Sequence, residues 1–278
     1  VERADLLLAQ ERFLNPNNST IVVIGNLQKN RVMRALRQLL GLWRKSERIV
    51  PATFRQPELP DARTLIINAP ADQSAEIRLA SRGIARSDRD FATATILSVV
   101  ARKRWEALAP ELSRSPVFVR NESHVLPGMF VLGATVDSLL AAKTLKTARE
   151  VLRSLSATPA SGVELEQARS EAIAQVTKEL AGPDGIARAW LDIDTFGLPS
   201  INEQMQAFNV VSTGDVQRLA TALFGENRIA SVVIGDSKQL KATLAPNANV
   251  ELMGELEKSP PEKPEVKPGS TIPVKKPD

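Results

Sequence analysis

The chain has 278 residues, 43% of them hydrophobic and 24% charged, and 36 Lys and Arg against 32 Asp and Glu leave a net charge of +4. This is a globular composition with length enough to bury a large core. There is no cysteine, no tyrosine and one histidine, His124, which excludes disulfides, cysteine nucleophiles and any zinc site needing two His from one chain; a Ser-His-Asp triad would have to run through His124.

In chain order, residues 5–14 carry a helical pattern and 19–24 an apolar strand pattern. Residues 28–43 are helical, with Val32, Leu36, Leu39 and Leu40 along one face. The stretch 44–61, with Pro51, Pro57 and Pro60 and few apolar residues, reads as a linker. Strands follow at 64–68 and 75–81, then a long helix over about 88–108 with Ser87 as the expected N-cap. Strands 117–123 and 129–136 flank a turn at Pro127-Gly128. Helix 138–155 places Leu145, Ala148, Leu152 and Leu155 on one face. Ser161-Gly162-Val163-Glu164 has capping-box spacing and opens a helix to Leu180, stopped by Gly182-Pro183. Shorter helices fit 185–194 and 215–224, a last strand fits 229–234, and a short helical stretch follows it. Residues 248–278 hold a dense run of Pro, Lys and Glu and are expected to form a disordered tail. Paired strands interrupted by long helices predict an α+β fold, a mostly antiparallel sheet covered on one face by helices.

Few residues announce chemistry. Glu122 and His124 lie two apart on an expected strand, so they share a face, but no third metal ligand accompanies them. The basic run Arg102-Lys103-Arg104 and the helix face of Lys143, Lys146, Arg149 and Arg153 read as solvated surfaces, the latter also suited to an acidic partner. Charge is scattered rather than striped, which argues against a nucleic-acid partner. No apolar run reaches membrane-spanning length. Gly-x-Ser-x-Gly, Gly-x-x-x-x-Gly-Lys and Gly-x-Gly-x-x-Gly are all absent. The opening Val1-Glu2-Arg3-Ala4-Asp5 has no initiator Met, and the expectation is a fragment or processed product.

Val22-Val23-Ile24-Gly25-Asn26 returns 210 positions later as Val232-Val233-Ile234-Gly235-Asp236. Each copy follows a helix, with Leu8-Ala9 and Phe13 before the first, and Leu219-Ala220 and Phe224 before the second. The period is domain-sized rather than solenoid-sized. It divides the chain into 1–43, the end of one domain; a linker, 44–61; a complete domain, 62–247; and the tail, 248–278.

That arrangement resembles the M16 metallopeptidase family, the insulinase, pitrilysin and processing-peptidase relatives. The similarity is carried by Phe13-Leu14-Asn15-Pro16-Asn17-Asn18 leading into the first repeat copy, Leu40-Gly41-Leu42-Trp43, and Gln73-Ser74-Ala75-Glu76-Ile77-Arg78-Leu79. It continues in Arg86-Ser87-Asp88-Arg89-Asp90-Phe91, Gly128-Met129-Phe130, Val163-Glu164-Leu165-Glu166-Gln167-Ala168-Arg169 and Val211-Ser212-Thr213-Gly214-Asp215-Val216. The resemblance implies an M16-type two-layer domain with the end of a preceding one.

In that family the chemistry sits in the preceding domain, where His-x-x-Glu-His supplies two zinc ligands and a general base. With one histidine this chain lacks the motif. No catalytic or metal residue is assigned, the substrate-binding residues are unknown, and zinc is expected only in an N-terminal domain or a partner. The family's second domain often adds an Arg/Tyr pair that holds the substrate carbonyl. Where relatives show Leu-Arg-Glu this chain has Leu108-Ala109-Pro110, and of the nearby Arg104, Arg114 and Arg120 none matches by motif.

The resemblance therefore implies the non-zinc C-terminal half of an M16-like peptidase, predicted inactive alone. It would capture peptides or unfolded segments and close the substrate chamber beside an M16-like catalytic domain or partner subunit. A catalytically inactive assembly subunit is the alternative. A periplasmic, cell-envelope or secreted location is the expectation.

Overall fold

Strand β2 (Ser74–Arg82) organises the architecture because its nine residues alternate cleanly. Ala75, Ile77 and Leu79 are fully buried, while Arg78 between them is exposed. Such a strand needs a covered face and partners on both edges. The computed structural model describes residues 1–45, 56, 58–59, 61–69, 73–110, 112, 117–225, 229–244 and 250–253. With β1 (Thr64–Asn68), β3 (Val117–Glu122), β4 (Met129–Asp137), β5 (Ala230–Gly235) and β6 (Val250–Met253), β2 forms a six-stranded sheet of order β3-β4-β2-β5-β1-β6. The β3/β4, β4/β2 and β2/β5 pairs are antiparallel, and the β5/β1 and β1/β6 pairs are parallel. The sheet is thus antiparallel through one half and parallel through the other.

Helices close one face of this sheet. α3 (Phe91–Leu108) lies beneath β3, and α4 (Ala141–Ala157) and α8 (Thr213–Phe224) lie beneath β2. Ile96, Leu97, Trp105, Phe130 and Leu152 are buried where the layers meet, and each aliphatic side chain of this kind contributes about 1.5–3 kcal/mol by leaving water. The Phe130 and Phe224 rings meet edge to face with centroids 5.1 Å apart. α5 (Gly162–Glu179) and α7 (Ile201–Val210) pack on α3, α6 (Pro183–Phe196) runs between them in sequence, and α9 (Ser237–Leu244) packs on β1. On the face away from these helices Gly133 lets the Phe118 ring lie across the neighbouring strand: a Cβ there would come 2.2 Å from Phe118 Cζ.

The expected boundaries hold to within a few residues in the body, with instructive exceptions. The capping box at Ser161 and Glu164 is formed and starts α5. α3 starts at Phe91 rather than near 88: Asp88 Oδ1 accepts from the Asp90 backbone N–H in a turn, and Asp90, not Ser87, stands at the cap. Ile201–Val210 is a helix the sequence reading omitted, although Ser200 and Glu203 form the same capping box as Ser161 and Glu164. Val250–Met253, assigned to the tail, is instead the edge strand β6; the rest of the tail lies outside the described residues, as does most of the linker.

The N-terminal residues form α1 (Arg3–Phe13), a 3₁₀ turn (Pro16–Asn18) and α2 (Lys29–Leu40). The strand expected at 19–24 is not formed: these residues belong to no helix and join no ladder. Neither helix buries a residue. A strand is completed by hydrogen bonds to neighbours, and no neighbour is present here among the described residues.

Candidate functional site

β3 forms one edge of the sheet. On its covered side Val119 faces the helices and pairs with Leu132; on its open side Phe118, Arg120 and Glu122 alternate outward. The outward residues hold one another. Arg120 lies 4.7 Å from the Phe118 ring centroid, and its Nε donates to Glu122 Oε1 at 2.8 Å. Arg78 of β2 approaches the same ring at 6.0 Å. Along its far side β3 has no strand partner among the described residues, which leaves backbone donors and acceptors for an added chain.

Beneath this edge opens a cleft of about 830 Å³ between α3, α5, α6 and α7. Phe91, Val99, Val176, Met205 and Phe208 line it, and so does Val119 of β3. The volume is that of a ligand site. Arg86 braces one end. Its guanidinium stacks 4.0 Å above the Phe91 ring, Nη2 donates to Gln204 Oε1 at 3.2 Å, and Nε reaches Asp192 Oδ2 at 3.4 Å. Burial pushes the Arg86 pKa down, and Asp192 opposes that shift. The wall formed by α6 buries no residue of its own, so polar contacts such as Arg86–Asp192 tie it to the rest.

The family model for the peptidase M16 inactive domain matches residues 1–172. The chain belongs to that family. Its fold recurs in the peptidase M16 inactive domain from Pseudomonas fluorescens at 17% identity and TM-score 0.72, covering 85% of this chain and 58% of that one. A protease from Helicobacter pylori matches at 16% identity and TM-score 0.73, covering 84% and 59%. A chain of complex III₂ from Candida albicans matches at 15% and 0.73, covering 88% and 60%. The M16 chain described here thus spans about three fifths of the length of these relatives. Among curated proteins none matches.

The M16 fold separates most of the residues the sequence singles out. β3 ends at Glu122, so His124 lies beyond it in the connection to β4, exposed, and the shared strand face does not exist. The Glu122 carboxylate is taken by Arg120, and no three His, Asp or Glu side chains gather for a metal among the described residues. These groups do not fit zinc. Arg104 is a brace: it pairs with Glu164 and donates to the Thr158 and Pro159 carbonyls, tying α3 to α5. Arg102 and Lys103 pair with Glu171 of α5, so the run 102–104 is an inter-helix clasp rather than a solvated face. Arg114 lies outside the described residues. Ala109, in the run Leu108-Ala109-Pro110, is wholly buried. The cleft itself escaped the sequence reading, because Phe91, Val176 and Phe208 look like ordinary core positions until four helices bring them together.

Proposed function

We propose that this chain is the non-zinc C-terminal half of an M16-like zinc metallopeptidase, acting in peptide capture and in closure of the substrate chamber. The observation that carries the reading is Val119, which belongs both to the open edge strand and to the wall of the cleft. An extended peptide added alongside β3 would hydrogen-bond through its backbone and turn alternate side chains toward the cleft. Backbone pairing accepts many sequences, while the apolar lining favours aliphatic or aromatic side chains. Zinc and the attacking water would be supplied by an M16-like catalytic domain or partner subunit, and a periplasmic or envelope setting suits that assembly.

A second reading, an inactive assembly subunit, is favoured by one specific observation: the chain has no Tyr, and a buried Ala109 stands where the resemblance would place the substrate-holding Arg. Peptide binding separates the two. A labelled, unstructured peptide rich in Leu and Phe should bind the full chain, and methylation of alternate backbone nitrogens should weaken it about tenfold or more, since each lost hydrogen bond is worth about 0.5–1.5 kcal/mol. Met205→Trp, which fills the cleft, should weaken the unmethylated peptide as well. Equal affinity for the methylated and unmethylated peptides sinks the capture reading, and no binding at all favours the assembly subunit.

A further inference from the structure

The arginines drawn into the helix layer follow one rule, with one exception. Arg86 has Asp192, Arg102 has Glu106 and Glu171, Arg104 has Glu164, and Arg169 has Glu166. Arg149 of α4 has no carboxylate among the described residues. Its Nη2 donates to Thr64 Oγ1 at 3.0 Å and to Ser231 Oγ at 2.9 Å, hydroxyls that are buried at the starts of β1 and β5. Nε and Nη1 make no hydrogen bond among the described residues. Burial pushes the Arg149 pKa down, and the like charge of Arg153, one helical turn further on, adds to that shift. A cation held partly out of water beside a second cation is costly unless an anion completes it.

The neighbouring charges fix how large that anion can be. Lys146, on the same helix face, is met by Glu150 at 3.9 Å, and Arg63, next to Thr64, is held by Asp61 and Glu251. Arg149, Arg153, Lys146 and Arg63 against Glu150, Asp61 and Glu251 leave a local excess of one positive charge, carried by the Arg149–Arg153 pair. A single carboxylate matches it, whereas a polyanion would want a longer stripe. We propose that Arg149, steadied by the Thr64 and Ser231 hydroxyls and joined by Arg153, is the seat for a carboxylate on an acidic segment of a partner protein. Guanidinium geometry suits a carboxylate, which can take two N–H donors at once. The seat does not depend on peptide capture at β3.

The test uses the full chain and a labelled peptide of alternating Glu and Ser, read by fluorescence anisotropy at low ionic strength. Arg149→Gln should weaken binding about tenfold, the loss of one charge-assisted hydrogen bond. Lys178→Gln, on an exposed part of α5, should leave it within about twofold, as expected for a solvated surface charge. The same peptide with Gln for Glu should not bind. Arg149→Lys keeps the charge without the fork and should fall between wild type and Arg149→Gln, which guards against a folding artefact. Equal binding by wild type and Arg149→Gln overturns the proposal. So does failure of the Glu peptide to bind, whether or not inorganic phosphate binds at Arg149. The β3 peptide, measured in parallel, should be indifferent to Arg149→Gln, so the two readings fail separately.

Discussion

Residues 22–26 and 232–236 spell nearly the same five letters and meet different fates. The second copy lies in β5, paired to β2 on one side and β1 on the other, with Val233 fully buried. The first copy joins no ladder, bends at Gly25-Asn26, and leaves Val23 47% and Ile24 40% exposed. Local propensity is the same in both. What differs is neighbours: a strand becomes a strand when adjacent chains satisfy its backbone and cover one face. α2 gives the first copy only a shallow groove, of about 320 Å³, lined by Ile21, Val23, Val32 and Leu36.

The sharpest way to break the comparison is the same substitution at both copies. Val233→Asp forces a carboxylate into the centre of the core and should cost more than about 4 kcal/mol, enough to prevent folding. Val23→Asp adds a charge to a half-exposed segment and should move stability by less than about 0.5 kcal/mol. Denaturant unfolding of the two variants measures this. Comparable losses would mean that the N-terminal segment is as integral as the sheet.

Amide exchange and limited proteolysis sharpen the same contrast with a smaller effect. Residues 19–24 should exchange close to unprotected rates, while β5 should exchange only through global opening. Proteases should cut first between 44 and 61 and leave a resistant C-terminal core. Cooperative protection across both copies would remove the basis for treating 1–43 as the end of another domain.

Within the body the sequence was legible wherever one signal acted alone. The alternation of β2 and the Ser161 capping box needed no tertiary information. Where two groups competed, sequence reading slipped. Ser87 looks like a cap, yet the helix begins after Asp90, whose carboxylate is committed to Arg218 through bonds of 2.7 and 2.9 Å. That pairing spans 128 positions and has no local trace. β6 was lost because Glu251, Leu252 and Met253 are all exposed, so its pattern resembles the tail that follows. The β3 edge and the cleft were beyond reach for another reason: an edge is defined by which strands are absent beside it, and a cleft by helices remote in sequence.

A pH experiment probes the body at a lower magnitude. Arg104 is hydrogen-bonded to Glu164 and, against some desolvation, holds that carboxyl well below its ordinary value, at about 2. A folded-state pKa below the unfolded one stabilises above the unfolded value and is lost as pH falls toward the folded one. Stability should therefore decline between about pH 5 and pH 2 through this site, by on the order of 1 kcal/mol because Glu164 is partly exposed and screened. Glu164→Gln should lower stability at neutral pH and flatten that part of the profile, read from unfolding midpoints across the range. The clasp lies between α3 and α5, so exchange at residues 19–24 should be unchanged. If those amides responded as strongly as α5, the two regions would be energetically coupled.

The smallest effect tests the seam itself. Thr20, in the N-terminal segment, donates its hydroxyl to the Asp194 carboxylate near the end of α6. Both groups are exposed, and an exposed hydrogen bond to a charged acceptor exchanges one hydration arrangement for another at little net gain. Thr20→Val keeps the β-branched shape and removes the donor. Global stability should then change by no more than about 0.5 kcal/mol, as for surface substitutions generally. Exchange at residues 19–24 and at the end of α6 should quicken together, since each loses the other as a tether. α6 buries no residue of its own, so that quickening should extend to the cleft wall but leave β5 untouched. Faster exchange in the N-terminal segment alone would show that the hydrogen bond restrains one side only. Faster exchange of β5 would show that the segment supports the sheet, removing the contrast between the two copies.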